Sequence, residues 1–207
     1  MDDYCFQAEG QSFRMRAGGV MARHYEQSRF YEGHMLAYIR ELGLAGRYLD
    51  VGANIGNHSV FFDKLCRSNA VDAFEPGKEA FRLLQWNVQS NNCDRTACHM
   101  VGLSDSEGRG TNVVGRQKIE FQARTLDSYA FQDVTLIKLD IEGMETEFLR
   151  GAHETLRRSR IVLFIEAQLQ SDLAAQEEVL SPLGYVRSGR KWNATPTYEW
   201  RSDRSSA

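Results

Sequence analysis

Residues 48–62 decide the fold: Tyr48-Leu49-Asp50-Val51-Gly52-Ala53-Asn54-Ile55-Gly56-Asn57-His58-Ser59-Val60-Phe61-Phe62. The first four read as a short apolar strand and the next five as a glycine-bounded turn. Val60, Phe61 and Leu65 then mark the inward side of a helix. Strand, glycine loop and helix in that order open a βαβ unit, and the rest of the chain repeats the alternation. Upstream, Phe30, Met35, Leu36, Ile39 and Leu42 approximate a helical stripe that Gly43 and Gly46 can stop. Downstream, Ala70 to Phe74 reads as a strand ending at Glu75-Pro76, where the proline discourages further pairing. Phe81, Leu84 and Val88 then line a helix that closes at Asn91-Asn92.

A third strand is expected from about Ala97 to Leu103, and Ser104 to Gly115, polar and glycine-rich, reads as loop. Ile119 and Phe121 suggest a short edge strand. Val134 to Asp140 is a fourth core strand, followed by a helix burying Phe148, Leu149, Ala152 and Leu156. Arg160 to Glu166 is the most apolar run and suits a central strand covered on both faces. A helix from about Asp172 to Leu180 precedes a closing antiparallel pair around Tyr185–Arg187 and Tyr198–Trp200. The pattern predicts an α/β fold: a mostly parallel seven-stranded sheet, helices on both faces, and an antiparallel C-terminal hairpin. One domain over residues 29–200 is expected. Residues 1–28 read as an irregular or short-stranded preface that could serve as a lid, and 201–207 as a frayed tail.

Composition narrows the function. The chain has 207 residues, 42% hydrophobic and 11% aromatic, enough for a core without staples. Lys and Arg number 25 against 28 Asp and Glu, for a net charge of −3. No basic block stands out, so a nucleic-acid partner is not expected. None of the four cysteines makes a CxxC pair. A disulfide or metal role is therefore not expected, and Cys66 reads as a buried thiol. Neither a basic leader with an apolar run nor a stretch of about 18 apolar residues is found, so a cytoplasmic protein without a membrane span is the expectation.

In a parallel sheet of this kind, ligands sit at the carboxyl ends of the strands. The strand ends carry Asp50, Glu75, Ser104 with Asp105, Asp140 with Glu142, and Glu166. Carboxylates gathered on one edge repel each other, so stability does not explain them. Gly52 and Gly56 let backbone approach a ligand, and the following helix offers N–H groups to a carboxylate. Glu75 is placed to accept ribose hydroxyls. A dinucleotide site shares these features, but Gly52-Ala53-Asn54-Ile55-Gly56 lacks the central glycine of GxGxxG. S-adenosyl-L-methionine (SAM) is therefore favoured over NAD. A structural turn without ligand is the ordinary reading of a lone GxxxG, and the further acids on the same edge weigh against it.

The runs YLDVGANIGNHSVFF (48–62), AFEP (73–76), VGLSD (101–105), TLD (125–127) and IKLDIEGMETEFLRGA (137–152), with FYEGHML (30–36) before and Ile165-Glu166 after, resemble the FkbM family of methyltransferases over roughly residues 28–168. The resemblance implies a Rossmann-like class I methyltransferase fold, with SAM as cofactor. It also implies transfer to a hydroxyl of a sugar, glycan or secondary metabolite. It assigns Asp50, Gly52 and Asn54 to the methionine end of SAM and Glu75 to the ribose, with Ala53, Gly56 and Pro76 also among the cofactor-binding residues. Ser104 and Asp105 would border the adenine, and Asp140 would lie beside the sulfonium.

An aliphatic hydroxyl must shed its proton as it attacks, which a positioned base assists by on the order of 10²–10⁴-fold. Asp140 and Glu142 lead as candidates and Glu166 follows. Glu142 could instead cap the next helix, and the trio could hold Mg²⁺, although catalysis without a metal needs fewer assumptions. His58 reads as a helix-start hydrogen-bonder or a base, Tyr31 and Glu32 as lid or surface helix. Trp192 and Trp200 suit either sugar stacking or a terminal core. An NAD-dependent oxidoreductase and a non-catalytic SAM-binding subunit stay as alternatives.

Overall fold

The computed structural model describes residues 1–114 and 117–203, with the side chains of residues 113, 114 and 117 outside the description. Strands β1 (Asp2–Ala8) and β2 (Gln11–Ala17) form an antiparallel hairpin and lead into α1 (Gly19–Glu26) and α2 (Gly33–Glu41). Then follow β3 (Gly46–Val51), α3 (Asn57–Leu65), β4 (Ser68–Phe74), α4 (Lys78–Ser90) and β5 (Thr96–His99). A smaller unit comprises β6 (Gly102–Leu103), β7 (Gly108–Val114) and β8 (Gln117–Arg124). The chain closes with β9 (Val134–Leu139), α5 (Glu145–Gly151), α6 (His153–Arg158), β10 (Val162–Glu166), α7 (Gln170–Leu180), β11 (Tyr185–Trp192) and β12 (Thr197–Ser202).

The main sheet has seven strands in the order β11-β12-β10-β9-β3-β4-β5. The five from β10 to β5 are parallel, and β12 and β11 pair antiparallel at one edge. The chain winds outward from β3 through β4 to β5, then returns to place β9 on the other side of β3. This reversal opens a crevice beyond the carboxyl ends of β3 and β9. There the Asp140 N–H donates to the Val51 carbonyl at 3.0 Å.

Alternate side chains of the central strands feed two cores, as a sheet covered on both faces requires. Tyr48, Val71, Leu136 and Phe164 pack with α2, α3 and α4 on one face. Leu49, Ile137, Leu163 and Ile165 pack with Phe148, Leu156 and Leu173 on the other. Among the described residues, no helix is long and apolar enough to cross a membrane.

Four sequence expectations change. Residues 1–28 are a regular hairpin and helix, and Phe6, Phe13, Met15 and Tyr25 join the first core. The third strand stops at His99, and Gly102-Leu103 pairs instead with β8. The chain there needs glycine, because a Cβ on Gly102 would sit 2.3 Å from the Phe121 ring. The supposed loop 104–115 contains β7, which runs antiparallel to β8. Arg201 and Ser202 belong to β12, while residues 204–207 of the supposed tail lie outside the described residues.

Candidate active site

A cleft of about 740 Å³ opens at the carboxyl ends of β3, β4, β9 and β10. Its walls include Gly52, Ala53, Asn54, Glu75, Pro76, Asp140, Glu142 and Glu166, together with Tyr31, Glu32, His58 and Lys138. Val20 and Met21 from α1, Phe121 from β8 and Thr195 from the β11–β12 turn contribute its rim.

The glycine loop is shaped by close approach. Gly52 has φ +82°, and a Cβ there would meet the Asp140 carbonyl at 1.7 Å. The N–H groups of Gly52 and Ala53 both donate to the Phe74 carbonyl, at 3.0 and 2.9 Å, so β4 sets the turn. Gly56, at φ +88°, ends the loop against Leu84 of α4. Glu75 spans the neighbouring loops, accepting the Asn54 N–H at 2.9 Å and the Gly77 N–H at 2.7 Å. Burial pushes its carboxyl upward, partly offset by those two donors.

Asp50 does not reach the cleft wall. It is fully buried, and its Oδ2 accepts the Ser59 hydroxyl at 2.5 Å, tying β3 to α3. Gly56 and the pair Ser104 and Asp105 also lie outside the lining. The Ser104 N–H is taken by the Arg124 carbonyl, and Gly102, Leu103 and Phe121 line that stretch instead. The remaining residues assigned from the sequence come together in one cleft.

The floor is a dense charge cluster. Lys138, buried inside β9, donates to Asp140 at 2.8 Å. Burial works against its ammonium, but Asp140, Glu32 and Asp50 outweigh that and raise its affinity for the proton. Burial likewise presses Asp140 upward, and the Lys138 charge overrides it and holds the carboxyl below its usual value. Glu166 faces the opposite balance. Burial, with the nearby Asp140 charge, pushes it from 4.5 to about 8.

Glu145, Glu32 and His58 support this end of the cleft; the sequence reading singled out Glu32 and His58 but not Glu145. Glu145 accepts the N–H groups of Ile141 at 2.9 Å and Gly143 at 3.3 Å, so it, rather than Glu142, holds the start of α5. Glu142 stays exposed at the cleft wall with φ +55°. Glu32 and His58 are both nearly buried, with Oε2 and Nε2 2.9 Å apart. Neither atom makes a well-aligned hydrogen bond. The run FYEGHML already pointed to Glu32, but the chain fold was needed to bring it to His58. Trp192 packs on Tyr38 and Phe164, and Trp200 is buried, so both serve the terminal core.

Fold and cleft together define a Rossmann-like α/β domain with a ligand cleft at the switch point of its sheet. A precorrin-6y C5,15-methyltransferase from Geobacter metallireducens GS-15 superposes with TM-score 0.60 at 14% identity, over 92% of this chain and 94% of its own. TYW2 from M. jannaschii, crystallised with AdoMet, gives TM-score 0.55 at 14% identity, over 96% and 83%. A model of the methyltransferase FkbM domain matches residues 50–186, and the chain belongs to the FkbM methyltransferase family. A methyltransferase FkbM from Methylobacillus flagellatus KT superposes with TM-score 0.60 at 24% identity over 76% of this chain. This chain covers 43% of that relative's length. Among curated proteins, none matches significantly.

Proposed function

We propose that this protein transfers a methyl group from SAM to a hydroxyl of a sugar, glycan or secondary-metabolite acceptor. The reading rests chiefly on one observation: Glu75, Asp140 and Glu166 meet the Gly52–Asn54 turn in a single cleft at the switch point of the sheet. That donor set fits a sulfonium nucleoside with an amino-acid end. The first turn of α3 offers N–H groups to a carboxylate. Glu75, with acceptor capacity beyond its two backbone donors, suits ribose hydroxyls. Asp140, kept anionic by Lys138, suits a positive centre.

When bound, SAM supplies an electrophilic methyl carbon on a sulfonium. The protein's part is then to position and to move one proton. Asp140 fixes the charge at the centre of the cleft. Glu166 borders the same space with a raised proton affinity, and a base works best when its pKa lies near the operating pH. It is the carboxylate we assign to take the acceptor's hydroxyl proton. Glu142, at the mouth, is placed to orient the acceptor. Three acids at this end favour an oxygen acceptor.

Incubation with methyl-labelled SAM and a panel of hydroxylated sugars, glycans and metabolites tests the reading. Label transferred to an ether oxygen is the expected result. Transfer only to nitrogen or carbon would refute the acceptor class, and failure to bind S-adenosylhomocysteine would refute the cofactor.

A further inference from the structure

Glu32 combines features that a structural residue has no need of. It occupies the left-handed region at φ +57°, immediately before α2. That conformation carries a cost for a non-glycine side chain, and such strain is found at ligand sites. The surroundings here are explicit. The Asn57 side chain, at the first position of α3, accepts the Tyr31 N–H at 3.1 Å and donates to the Tyr31 carbonyl at 3.0 Å. This two-bond clasp fixes the backbone one residue before Glu32, and the Tyr25 hydroxyl, donating to the same Asn57 oxygen at 3.1 Å, braces it.

The clasp delivers a carboxylate that is 8% exposed into the cleft wall. Its Oε2 faces His58 Nε2 at 2.9 Å without a well-aligned hydrogen bond. A carboxylate met by one poorly aligned partner keeps acceptor capacity for a cationic ligand. Three other acids near the cleft already bond to protein groups, although Asp50 Oδ1 is itself buried without a hydrogen-bond partner among the described residues. Asp140 holds Lys138, Asp50 lies beneath the wall bonded to Ser59, and Glu75 bonds two backbone N–H groups at the far end of the crevice. Counting Glu32, Asp50 and Asp140 against Lys138 leaves the floor anionic. Burial favours the neutral form of Glu32, but His58 and the Lys138 charge prevail and hold its carboxyl below the ordinary value.

We propose that Glu32 binds the α-ammonium of the methionine end of SAM, with its backbone held in register by the Asn57 clasp. This rests on the cofactor reading above and deepens it. The glycine loop and the start of α3 meet the carboxylate of the amino acid, and Glu32, beside His58 of that same first turn, meets its ammonium. The segment before β3 is thereby part of the cofactor site.

Calorimetric titration with two ligands tests this: S-adenosylhomocysteine and its desamino analogue, which keeps the carboxylate but lacks the ammonium. The wild-type chain should prefer the amino ligand by on the order of 10–100-fold, the scale of a hydrogen bond to a charged group. In Glu32→Gln that preference should collapse while affinity for the desamino ligand is retained, which also shows that the site is folded. Glu32→Asp should keep part of the preference. A preference unchanged in Glu32→Gln, or equal loss of both ligands, would overturn the assignment while leaving the cofactor reading intact. A wild-type chain that binds neither ligand would remove both.

Discussion

At Gly52, two requirements meet in one residue: a positive φ and a carbonyl within bonding range of any added carbon. Gly52→Ala should lower stability by about 2–5 kcal/mol, combining overpacking with the left-handed penalty. It should also abolish S-adenosylhomocysteine binding. Urea unfolding and calorimetry check both, and a variant of wild-type stability would contradict the close approach. Glu166 makes a different prediction. In the folded chain it keeps its proton from its ordinary 4.5 up to about 8, whereas the unfolded chain releases it near the lower value. Folding therefore takes up a proton across that window, and this contribution to stability, full below the unfolded value, fades as pH rises through the folded one. Relative to wild type, Glu166→Gln should gain stability between about pH 5 and about pH 9. Methyl transfer by the wild-type chain should rise with pH with an apparent pKa near 8, belonging to the coupled Asp140–Glu166 pair. A transfer rate that falls with pH over that range would exclude Glu166 as the base.

Between elements, the most specific junction joins β2 to α4. Asn87 and Asn91 lie one helical turn apart, and their side-chain amides pair with alternate residues of the strand. Asn87 accepts the Arg16 N–H and donates to its carbonyl, and Asn91 does the same with Arg14. Trp86 beside them carries the Arg16 guanidinium 4.1 Å from its ring centre. Asn87 has one further bond, from Nδ2 to the Ile55 carbonyl at 2.7 Å, which links the hairpin to the glycine loop. Each Asn→Ala change should cost about 1–3 kcal/mol, because buried partners lose their bonds. Asn91→Ala should speed hydrogen exchange in β2 and leave ligand affinity alone. Asn87→Ala should also weaken S-adenosylhomocysteine, and identical binding by the two variants would sever the proposed link. This junction shows what the sequence could not disclose. The runs at 48–51, 134–139 and 162–166 were readable because strands covered on both faces are mostly apolar, broken here only by Asp50, Thr135, Lys138 and Glu166. The hairpins β1–β2 and β7–β8 are polar and carry glycines, so β7 looks like loop, β8 shows only as a short edge strand at Ile119 and Phe121, and residues 1–28 read no further than an irregular or short-stranded preface. Likewise, Glu75, Asp140 and Glu166 were legible as cleft acids from strand-end position, whereas Asp50 and Asp105 hold such positions without lining the cleft. The clasp on Tyr31 and the support from Glu145 depend on residues brought together only by the fold.

For the whole molecule, the two cores lie on opposite faces of one sheet, and the cleft opens at the rim where both end. The N-terminal hairpin belongs to the first core: Phe6 stacks on Tyr25 at 5.2 Å, and Phe30 bridges edge-on from Phe13 to Phe61 of α3. One continuous aromatic cluster thus connects the chain's first strands to the helix whose first turn faces the cleft. A ligand gripping Glu32, the glycine loop and Glu75 together would hold α2, α3 and β4 in one arrangement and bind only the folded chain. At a hundredfold excess over its dissociation constant, such a ligand stabilises by about 2.7 kcal/mol. For a chain of this size that corresponds to roughly 5–11 °C in Tm. S-adenosylhomocysteine should produce a shift on this scale, and NAD at the same concentration should produce none. The rise should shrink in Asn87→Ala and vanish in Gly52→Ala, because the first loosens the junction behind the loop and the second fills the loop itself. A shift by NAD equal to that by S-adenosylhomocysteine would return the cleft to the dinucleotide reading that the missing central glycine argued against.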